Sequence, residues 1–319
     1  MNPGRLIVLI AGVALCAAAL AQYPSRPVKI VVTIPPGGAP DIAARILADR
    51  LSPALGQPVV VENRPGANGN TAGAEVARAA PDGYTLILGA DSLITINPHI
   101  YARMPIDPLK DLVPVASLVS NQFVLSVNPT LPVKTLPEFV EYARKSNPPL
   151  AYASGGNGSQ HQLMMEMLKQ RAGIDLVHVP YRGGTPATTA TMAGEVAAMF
   201  SGTSSAPQIR AGRLRALAVA GATRSYAFPD LPRIGEFYPG YEASIWLGLF
   251  GPAGLSEEVL ARLRNEIRKI LLLPEVKEKL HGAGSLEPLV TTPQEFAALI
   301  RRDYDKYGKL IREIGIKAD

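Results

Sequence analysis

The stretch VVTIPPGGAPDIAARILADRL, residues 31–51, passes from a β-branched run through Pro35-Pro36-Gly37-Gly38 directly into a helical pattern. A strand, a turn and a helix in this order are typical of a βαβ unit. Glycine adopts positive φ and lets a ligand approach backbone amides without a Cβ in the way. The first amides of the following helix are unpaired, and its dipole places partial positive charge there. The junction is therefore a candidate site for a carboxylate or phosphate.

Two later stretches repeat this arrangement, YASGGNGSQHQL at 152–163 and VPYRGGTPATT at 179–189. Ser159 and Thr185 are the expected helix caps there, and Asp41 is the expected cap of the first helix. A single Gly-Gly junction is more often only a tight turn, but three with polar caps favour a ligand site beyond the carboxyl ends of strands. The nucleotide motifs G-x-x-x-x-G-K-[ST] and G-x-G-x-x-G with a matching acid are absent, so we predict no cofactor.

From residue 28 onward, short apolar runs alternate with helical patterns, which predicts an α/β fold with a largely parallel sheet. The expected strands are Val28 to Thr33, Val59 to Glu62, Tyr84 to Gly89, Phe123 to Val127, Leu150 to Ala153, Leu176 to Val179, Ala197 to Phe200, Leu214 to Ala220 and Ser244 to Phe250. Thr292 and Glu295 are expected to form a capping box at the start of an amphipathic helix from 293 to about 313, and Ser256 is expected to open another helix.

Two runs, FVLSVNP after residue 122 and SIWLGLFGPAG from 244, are expected to cross between two lobes. Lobe I then comprises residues 22–122 and 246–319, and lobe II comprises 123–245. This gives a two-lobed α/β architecture with a ligand cleft between the lobes.

The first 21 residues have the features of a secretory signal peptide: Arg5, a short apolar run, and Ala19-Leu20-Ala21 as the cleavage site. A membrane anchor is disfavoured because it needs roughly 20 apolar residues. The only cysteine, Cys16, lies in this segment, so the mature chain is expected to have no thiol. We predict an exported, periplasmic protein that is cleaved after Ala21 and does not span the membrane.

The net charge is +5, or +4 without Arg5, and the basic residues are spread along the chain without a run of five. This pattern disfavours nucleic acid and favours a small anionic ligand. His99, His178 and His281 lack ligand spacing such as H-x-x-x-H, so no metal site is predicted.

The motifs IPPGGAPDIAAR, VVVENRPGANGNTAGAEVARAAPDGYTLILG, INPHIY, YASGGNGSQHQ, VPYRGGTPA, IRAGRLRALAVAG and SIWLGLFGPAG occur in one order over nearly the whole mature chain. In these motifs the chain resembles the Bug family, the solute-binding receptors of tripartite tricarboxylate transporters. The resemblance implies a periplasmic binding protein of two α/β lobes. Such a protein closes on a small organic acid and passes it to integral membrane transporter subunits.

The resemblance also implies that loops of both lobes hold a ligand carboxylate through backbone amides and water. Matched by motif, the ligand-binding candidates are Gly37 and Gly38 on the first loop, Ser154, Gly155, Asn157, Ser159 and His161 on the second, and Gly183, Gly184 and Thr185 on the third. Three positions depart from the family pattern. Ile34 replaces a frequent aromatic residue, Ser201 a frequent aspartate, and Asp91 a small hydroxyl residue.

Two of the polar candidates have alternative interpretations. Asp91 is either a partner for an amine on the ligand or a solvated loop acid. His161, in the first turn of its helix, is either a hydrogen-bond donor to the carboxylate or a surface residue.

A rival interpretation is a secreted hydrolase that uses Ser154 or Ser159 with His161. Its G-x-S-x-G elbow is absent, and no third group is evident to orient the base. We therefore predict a monomeric binding protein without enzymatic activity, which works by lobe closure. A receptor that presents its ligand to a two-component sensor remains an open alternative.

Overall fold

The computed structural model describes residues 23–243, 245–283 and 286–317. The predicted signal peptide, with Arg5, Cys16 and the cleavage site after Ala21, lies outside the described residues. The strands are β1 (Val28–Val32), β2 (Val59–Asn63), β3 (Thr85–Ala90), β4 (Leu112–Asn121), β5 (Phe123–Val127), β6 (Ala151–Ser154), β7 (Val177–Pro180), β8 (Ala198–Gly202), β9 (Arg215–Val219), β10 (Ile245–Pro252) and β11 (Glu287–Pro288). The α-helices are α1 (Ala39–Leu55), α2 (Asn70–Ala77), α3 (Asp91–Thr95), α4 (Asn97–Ile100), α5 (Pro108–Asp111), α6 (Leu136–Lys145), α7 (Gln160–Ala172), α8 (Gly184–Ala193), α9 (Ala206–Arg210), α10 (Ile234–Phe237), α11 (Glu257–Leu271), α12 (Pro274–Gly282) and α13 (Pro293–Ile314).

The first sheet has the strand order β11-β4-β10-β3-β1-β2 and lies between two layers of helices. Its strands are apolar on both faces, as expected of a covered sheet. Ile30 belongs to the core that packs against α1 and α11, whereas its neighbour Val31 faces α2, α3 and α13. We call this sheet with its helices the first unit.

The second sheet has the order β7-β6-β8-β5-β9, and we call it with its helices the second unit. Tyr152 and Phe200 face the core that α6 and α7 cover, while Ala153 and Met199 face α8. The methionine-rich start of α7 is buried, which confirms that Met164, Met165 and Met167 are core residues.

Both sheets are mixed, so the expectation of a largely parallel sheet was wrong. In the first sheet β1 is parallel to β2 and β3, but β10 is antiparallel to β3 and β4. In the second, β6 is parallel to β7 and β8, but β5 is antiparallel to β8 and β9. β5 and β10 are the first strands after the two connections between the units. β5 runs against β6–β9, and β10 runs against β1–β4.

All nine predicted strands are present, with ends shifted by one or two residues, and the sequence analysis missed β4 and β11. β4 was not predicted because prolines near it argued against a strand. Pro114 pairs with Phe250 of β10 on one side, while β11 reaches β4 only at Val119 and Ser120. Pro114 therefore lies where β4 is an edge, and an edge strand tolerates a residue without an N–H.

Several helix starts agree with the predicted caps. Thr292 and Glu295 form a complete capping box, and Ser159 and Ser256 cap α7 and α11. The caps of α1 and α8 differ: Gly38 and Gly183 take the cap positions, and neither makes a side-chain capping bond. Asp41 and Thr185 therefore lie inside the first turn instead of capping it.

Among the described residues, no helix is both long and apolar enough to cross a bilayer. The chain passes between the sheets at residues 121–123 and again between 219 and 245. The exact lobe boundaries given above stay a prediction.

Candidate functional site

The first glycine loop, residues 34–38, follows β1 and is hydrogen-bonded to Asp41 of α1. The backbone N–H of Gly37 donates to Asp41 Oδ2 at 3.0 Å. Asn63 Nδ2 donates both to Asp41 Oδ1 at 2.9 Å and to the carbonyl of Ile34 at 3.0 Å. Burial opposes ionisation of Asp41, but hydrogen bonds from Arg45, Gly37 and Asn63 outweigh it and lower the pKa of this carboxyl group. The loop is therefore fixed at both ends in a defined shape.

This arrangement changes the roles expected of the first loop. The Gly37 amide has φ +89° and is already bonded to Asp41, so it is not a free donor for a ligand. The side chain of Ile34 covers Gly38, because a Cβ on Gly38 would lie 2.3 Å from Ile34 Cδ1. The half-buried Ile34 thus gives this part of the loop an apolar wall.

A second loop of the first unit, residues 66–70, is held by buried amide side chains. Ala67 and Asn68 have positive φ values of 46° and 51°. Asn97 accepts from Asn68 Nδ2 at 2.6 Å and donates to Asn70 Oδ1 at 2.7 Å. Strained backbone of this kind persists only where its surroundings fix it. The sequence analysis missed this loop as a separate feature, although the glycines of RPGANGN were the available signal.

Asp91 lies at the end of β3 and contacts the second unit. Its side chain is fully buried, and its Oδ2 accepts from Gln160 Nε2 of α7 at 2.6 Å. Burial raises the pKa of this carboxyl group well above its usual value. The structure therefore overturns the interpretation of Asp91 as a solvated loop acid. The other interpretation, a partner for an amine on the ligand, stays a prediction.

The second and third glycine junctions lie side by side at the carboxyl ends of β6 and β7. The Gly183 N–H donates to the Gly155 carbonyl at 3.2 Å. The half-buried His161 ring lies against both loops: a Cβ on Gly155 would be 3.0 Å from Nδ1, and one on Gly184 would be 3.3 Å from Nε2. Glycine is thus needed at both positions for this close approach.

The His161 ring also packs edge-on against Phe123, with 5.0 Å between the ring centroids. Its Nδ1 is buried and has no hydrogen-bond partner among the described residues. Burial lowers the pKa of His161 to about 4, so the ring is neutral at neutral pH. A neutral ring can donate one hydrogen bond to an anion without adding a charge.

Ser154 is paired with His178 instead of His161. His178 Nε2 lies 2.6 Å from Ser154 Oγ, and His178 Nδ1 lies 3.2 Å from Gln162 Nε2. The Gly158 N–H donates to Gln162 Oε1 at 2.7 Å, which fixes the orientation of the amide. Gln162 therefore donates to Nδ1, and His178 must carry its proton on Nε2 and donate to Ser154.

The hydrolase interpretation paired Ser154 or Ser159 with His161, whereas the structure pairs Ser154 with His178. A histidine that donates to a serine cannot serve as the base for that serine. The Ser154 hydroxyl instead donates to the Gly156 carbonyl at 3.0 Å, so the network shapes the 154–158 loop. His178 and Gln162 were missed in the sequence because their contact joins a strand to a helix.

The remaining candidates separate into two groups. Asn157 and Thr185 are exposed on their loops, whereas Ser159 is buried as the cap of α7. Ser201 is fully buried and shares a 2.7 Å hydrogen bond with Ser126, so it is directed into the second unit. Within the described ranges, no cluster of three or more His, Cys, Asp or Glu could hold a metal ion.

The two units meet beside the second glycine loop. Gly158, with φ +72°, packs so closely on the first unit that a Cβ there would lie 1.9 Å from Ile100 Cδ1. Gln160 adds the hydrogen bond to Asp91. The hydrogen bonds of the first loop, in contrast, run to Asp41 and Asn63 within the first unit.

Comparisons with known proteins agree on one family. Residues 43–316 match the family described as tripartite tricarboxylate transporter family receptor. The BugT protein of Bordetella pertussis is 34% identical over 99% of this chain and 99% of its own length. A Rhodopseudomonas palustris protein, Rpa4515, solved with adipate, has a TM-score of 0.88 and 32% identity over 93% of this chain and 99% of its own. MatC of the same organism, solved with malate, has a TM-score of 0.81 and 31% identity over 91% of this chain and 100% of its own. The chain therefore belongs to the tripartite tricarboxylate transporter receptor family and is a solute-binding protein of the Bug type.

Proposed function

We propose that this protein binds a small organic acid between its two units in the periplasm and delivers it, as a monomer, to the membrane subunits of a tripartite tricarboxylate transporter. Family membership and the adipate and malate complexes of its structural relatives support this proposal. The protein would carry its ligand without chemical change. Export with cleavage after Ala21 is part of the same proposal.

The observation that carries the proposal is the close pairing of the Gly155 and Gly183 loops around a neutral imidazole. Their 3.2 Å backbone contact places glycine amides at the start of α8, where the helix dipole favours negative charge. The unpartnered Nδ1 of His161 lies at the same place. A carboxylate would find there the first amides of α8 and a neutral imidazole, while the Gly183 N–H stays bonded to the Gly155 carbonyl.

We propose Ile34 and Gly38 as the first-unit side of the ligand site. Gly155, Asn157, His161, Gly183, Gly184 and Thr185 are the proposed second-unit side. The N–H groups of Gly37 and Gly183 and the side chains of Asp91, Ser154, Ser159 and Ser201 already have partners within the protein, and we assign these groups to holding the site together.

Lobe closure is the mechanism that we propose for capture. The units, with boundaries near residues 122 and 246, would separate to admit the acid and then close over it, since a ligand that binds the closed form better shifts the population toward it. The contacts of Gly158 with Ile100 and of Gln160 with Asp91 show where the units touch beside the glycine loop.

The test is thermal unfolding of the mature chain, residues 22–319, with adipate, malate, tricarboxylates, amino acids, aromatic acids and adipamide. A ligand at 100 times its Kd adds about 2.7 kcal/mol of stability and raises the Tm by several degrees. We expect shifts with carboxylates only. Adipamide has the shape of adipate without its charge, so a shift with adipamide but not with any carboxylate would refute the proposal.

A pair of variants locates the site. His161→Gln should weaken the carboxylate shift, whereas His281→Gln, on α12 of the first unit, should leave it unchanged. Equal effects of the two variants would show that the acid binds elsewhere. Conversion of any panel compound by the protein would contradict a role limited to binding.

A further inference from the structure

The contact between Asp91 and Gln160 leaves one oxygen on each side chain without a partner. Asp91 is fully buried and Gln160 is 4% exposed, and Gln160 Nε2 donates to Asp91 Oδ2 at 2.6 Å. Asp91 Oδ1 and Gln160 Oε1 are both buried and have no hydrogen-bond partner among the residues that the structure describes. Two unsatisfied acceptors thus occur on the two members of one hydrogen-bonded pair.

One proton on Asp91 would give both of these oxygens a hydrogen-bond partner. Buried polar groups are nearly always hydrogen-bonded, and an ionised carboxylate is costly to bury without a charged partner. A carboxylic acid protonated on Oδ1 becomes a donor, and Gln160 Oε1 is the acceptor on the same partner. Each of the two side chains then donates one hydrogen bond to the other and accepts one from it.

The charged groups around Asp91 do not supply the missing partner. Asp303, on α13, disfavours ionisation of Asp91, whereas Lys306 and the Ser92 N–H favour it. Lys306 Nζ, however, donates to the Glu242 carbonyl at 2.7 Å. Asp303 is held by Trp246 Nε1 at 2.8 Å.

The remaining neighbour is the buried hydroxyl of Tyr307, which is neutral because burial raises its pKa well above the usual value. Within the described part of the chain, no element that packs against Asp91 thus provides a cation bonded to it.

We propose that Asp91 is protonated in the folded protein and forms a neutral acid–amide pair with Gln160 that latches the second glycine loop to the end of β3. Gln160 directly follows Ser159, the cap of α7, and the loop 154–159 lies immediately before it. Asp91 and Gln160 are therefore positioning residues. The importance of the latch for binding rests on the proposed function, but its existence does not.

The protonation can be tested without a ligand, from the pH dependence of stability. An unfolded aspartate has a pKa near 3.9. If the folded protein keeps the proton above that value, it binds one more proton than the unfolded chain, and its stability falls as pH rises until Asp91 ionises. The unfolding equilibrium constant of the wild type should then rise about tenfold per pH unit relative to Asp91→Asn, which is always neutral.

The experiment is urea unfolding of the mature chain between pH 5 and 7, without ligand, for the wild type, Asp91→Asn and Asp91→Ser. Asp91→Ser serves as the neutral reference if the asparagine variant does not fold. Asp175→Asn, whose side chain is 80% exposed, is the matched control and should follow the wild type. A ratio between wild type and both neutral variants that stays flat over this range would overturn the proposal, since it would mean that Asp91 is ionised in the folded protein.

A double-mutant cycle tests the latch itself. Gln160→Met keeps the length of the side chain but removes its hydrogen bonds. We expect it to raise the unfolding equilibrium constant about fivefold more in the wild type than in Asp91→Ser, because the pair is lost only in the former. If the effects of the two substitutions on the free energy of unfolding were additive, the proposed latch would be overturned. Neither outcome depends on ligand binding, so a failed ligand panel would leave this test intact.

Discussion

His178 donates from Nε2 to Ser154 Oγ across 2.6 Å, and this contact joins the ends of β6 and β7 beneath the second glycine loop. The Ser154 hydroxyl also accepts from the Gly156 N–H at 3.1 Å. One buried hydroxyl thus fixes a strand end, a histidine and the start of the loop.

Ser154→Ala should lower the free energy of unfolding by about 1–3 kcal/mol, because it leaves the half-buried His178 N–H without its acceptor. Urea unfolding measures this loss. Ser146→Ala removes a solvent-accessible hydrogen bond to the Tyr142 carbonyl and is the control. If the two losses were equal, the proposed shaping role of Ser154 would be wrong.

Asp41→Ala should destabilise the protein by about 2–3 kcal/mol, because charge-assisted hydrogen bonds to Gly37 and Arg45 are lost. Asp49→Ala, two turns further along α1 at a side chain that is 61% exposed, should have little effect. We expect Asp41→Ala also to weaken carboxylate binding, since the first loop loses its anchor. Calorimetric titration with adipate or malate, whichever binds, checks this second effect.

Asp41 also predicts a specific acid sensitivity. Its pKa is lowered in the folded protein, so its contribution is present above the unfolded value of about 3.9 and is lost as the pH falls below it. Between pH 5 and 3, the wild type should therefore lose more stability than Asp41→Ala. Parallel pH profiles of the two proteins would contradict this.

Gly158→Ala should be markedly more destabilising than Gly173→Ala. Both glycines have positive φ, 72° and 59°, but a Cβ at 158 would meet Ile100 whereas one at 173 meets nothing within 4 Å. Gly173→Ala reports the backbone cost alone, about 1 kcal/mol. Adding Ile100→Ala to Gly158→Ala should recover part of the difference, and no recovery in the double variant would rule out the contact between the units as its cause.

Asn97→Leu should cost about 2 kcal/mol or more, because Asn68 and Asn70 lose their buried partner. Ala67→Gly is the counterpart: it relieves a positive φ of 46° and breaks no side-chain bond, so stability should be equal or higher. Chemical unfolding of both variants is the measurement. A stable Asn97→Leu protein would show that the 66–70 loop does not depend on this amide cluster.

His161 should make the protein less stable in acid. Its folded pKa of about 4 lies below the unfolded value of about 6.5, so the unfolded chain binds more protons in this window. Stability should fall as pH drops from 6.5 to 4, and His161→Gln should flatten that part of the profile. A His161→Gln profile with the same slope as the wild type would show that the folded ring also takes up a proton.

The sequence contained much of the fold because local patterns encode local structure. The β-branched runs and the caps of Ser159, Ser256 and Thr292 were sufficient to place nine strands and the main helices. The same patterns could not reveal the direction of the strands in the sheets. Pro114 argued against a strand at β4, because the sequence does not show which edge of a strand is unpaired.

Part of the candidate site could likewise be predicted from the sequence, and part could not. The three glycine junctions were visible in the sequence because positive φ and close approach require glycine itself. The partners of Asp41, Asp91 and Ser154 were not visible. Each of these side chains makes at least one contact to a residue more than 20 positions away.

By itself, the sequence determined the α/β class, the positions of the glycine junctions and the resemblance to a receptor family, because these depend on residue type and spacing. Only the tertiary structure decided that Asp91 is buried against Gln160 and that His178, not His161, bonds to Ser154. The physical reason is that burial and hydrogen-bond partners are set by how distant elements pack. That packing places Asp91, for which the sequence left two interpretations open, in a buried contact between the two units.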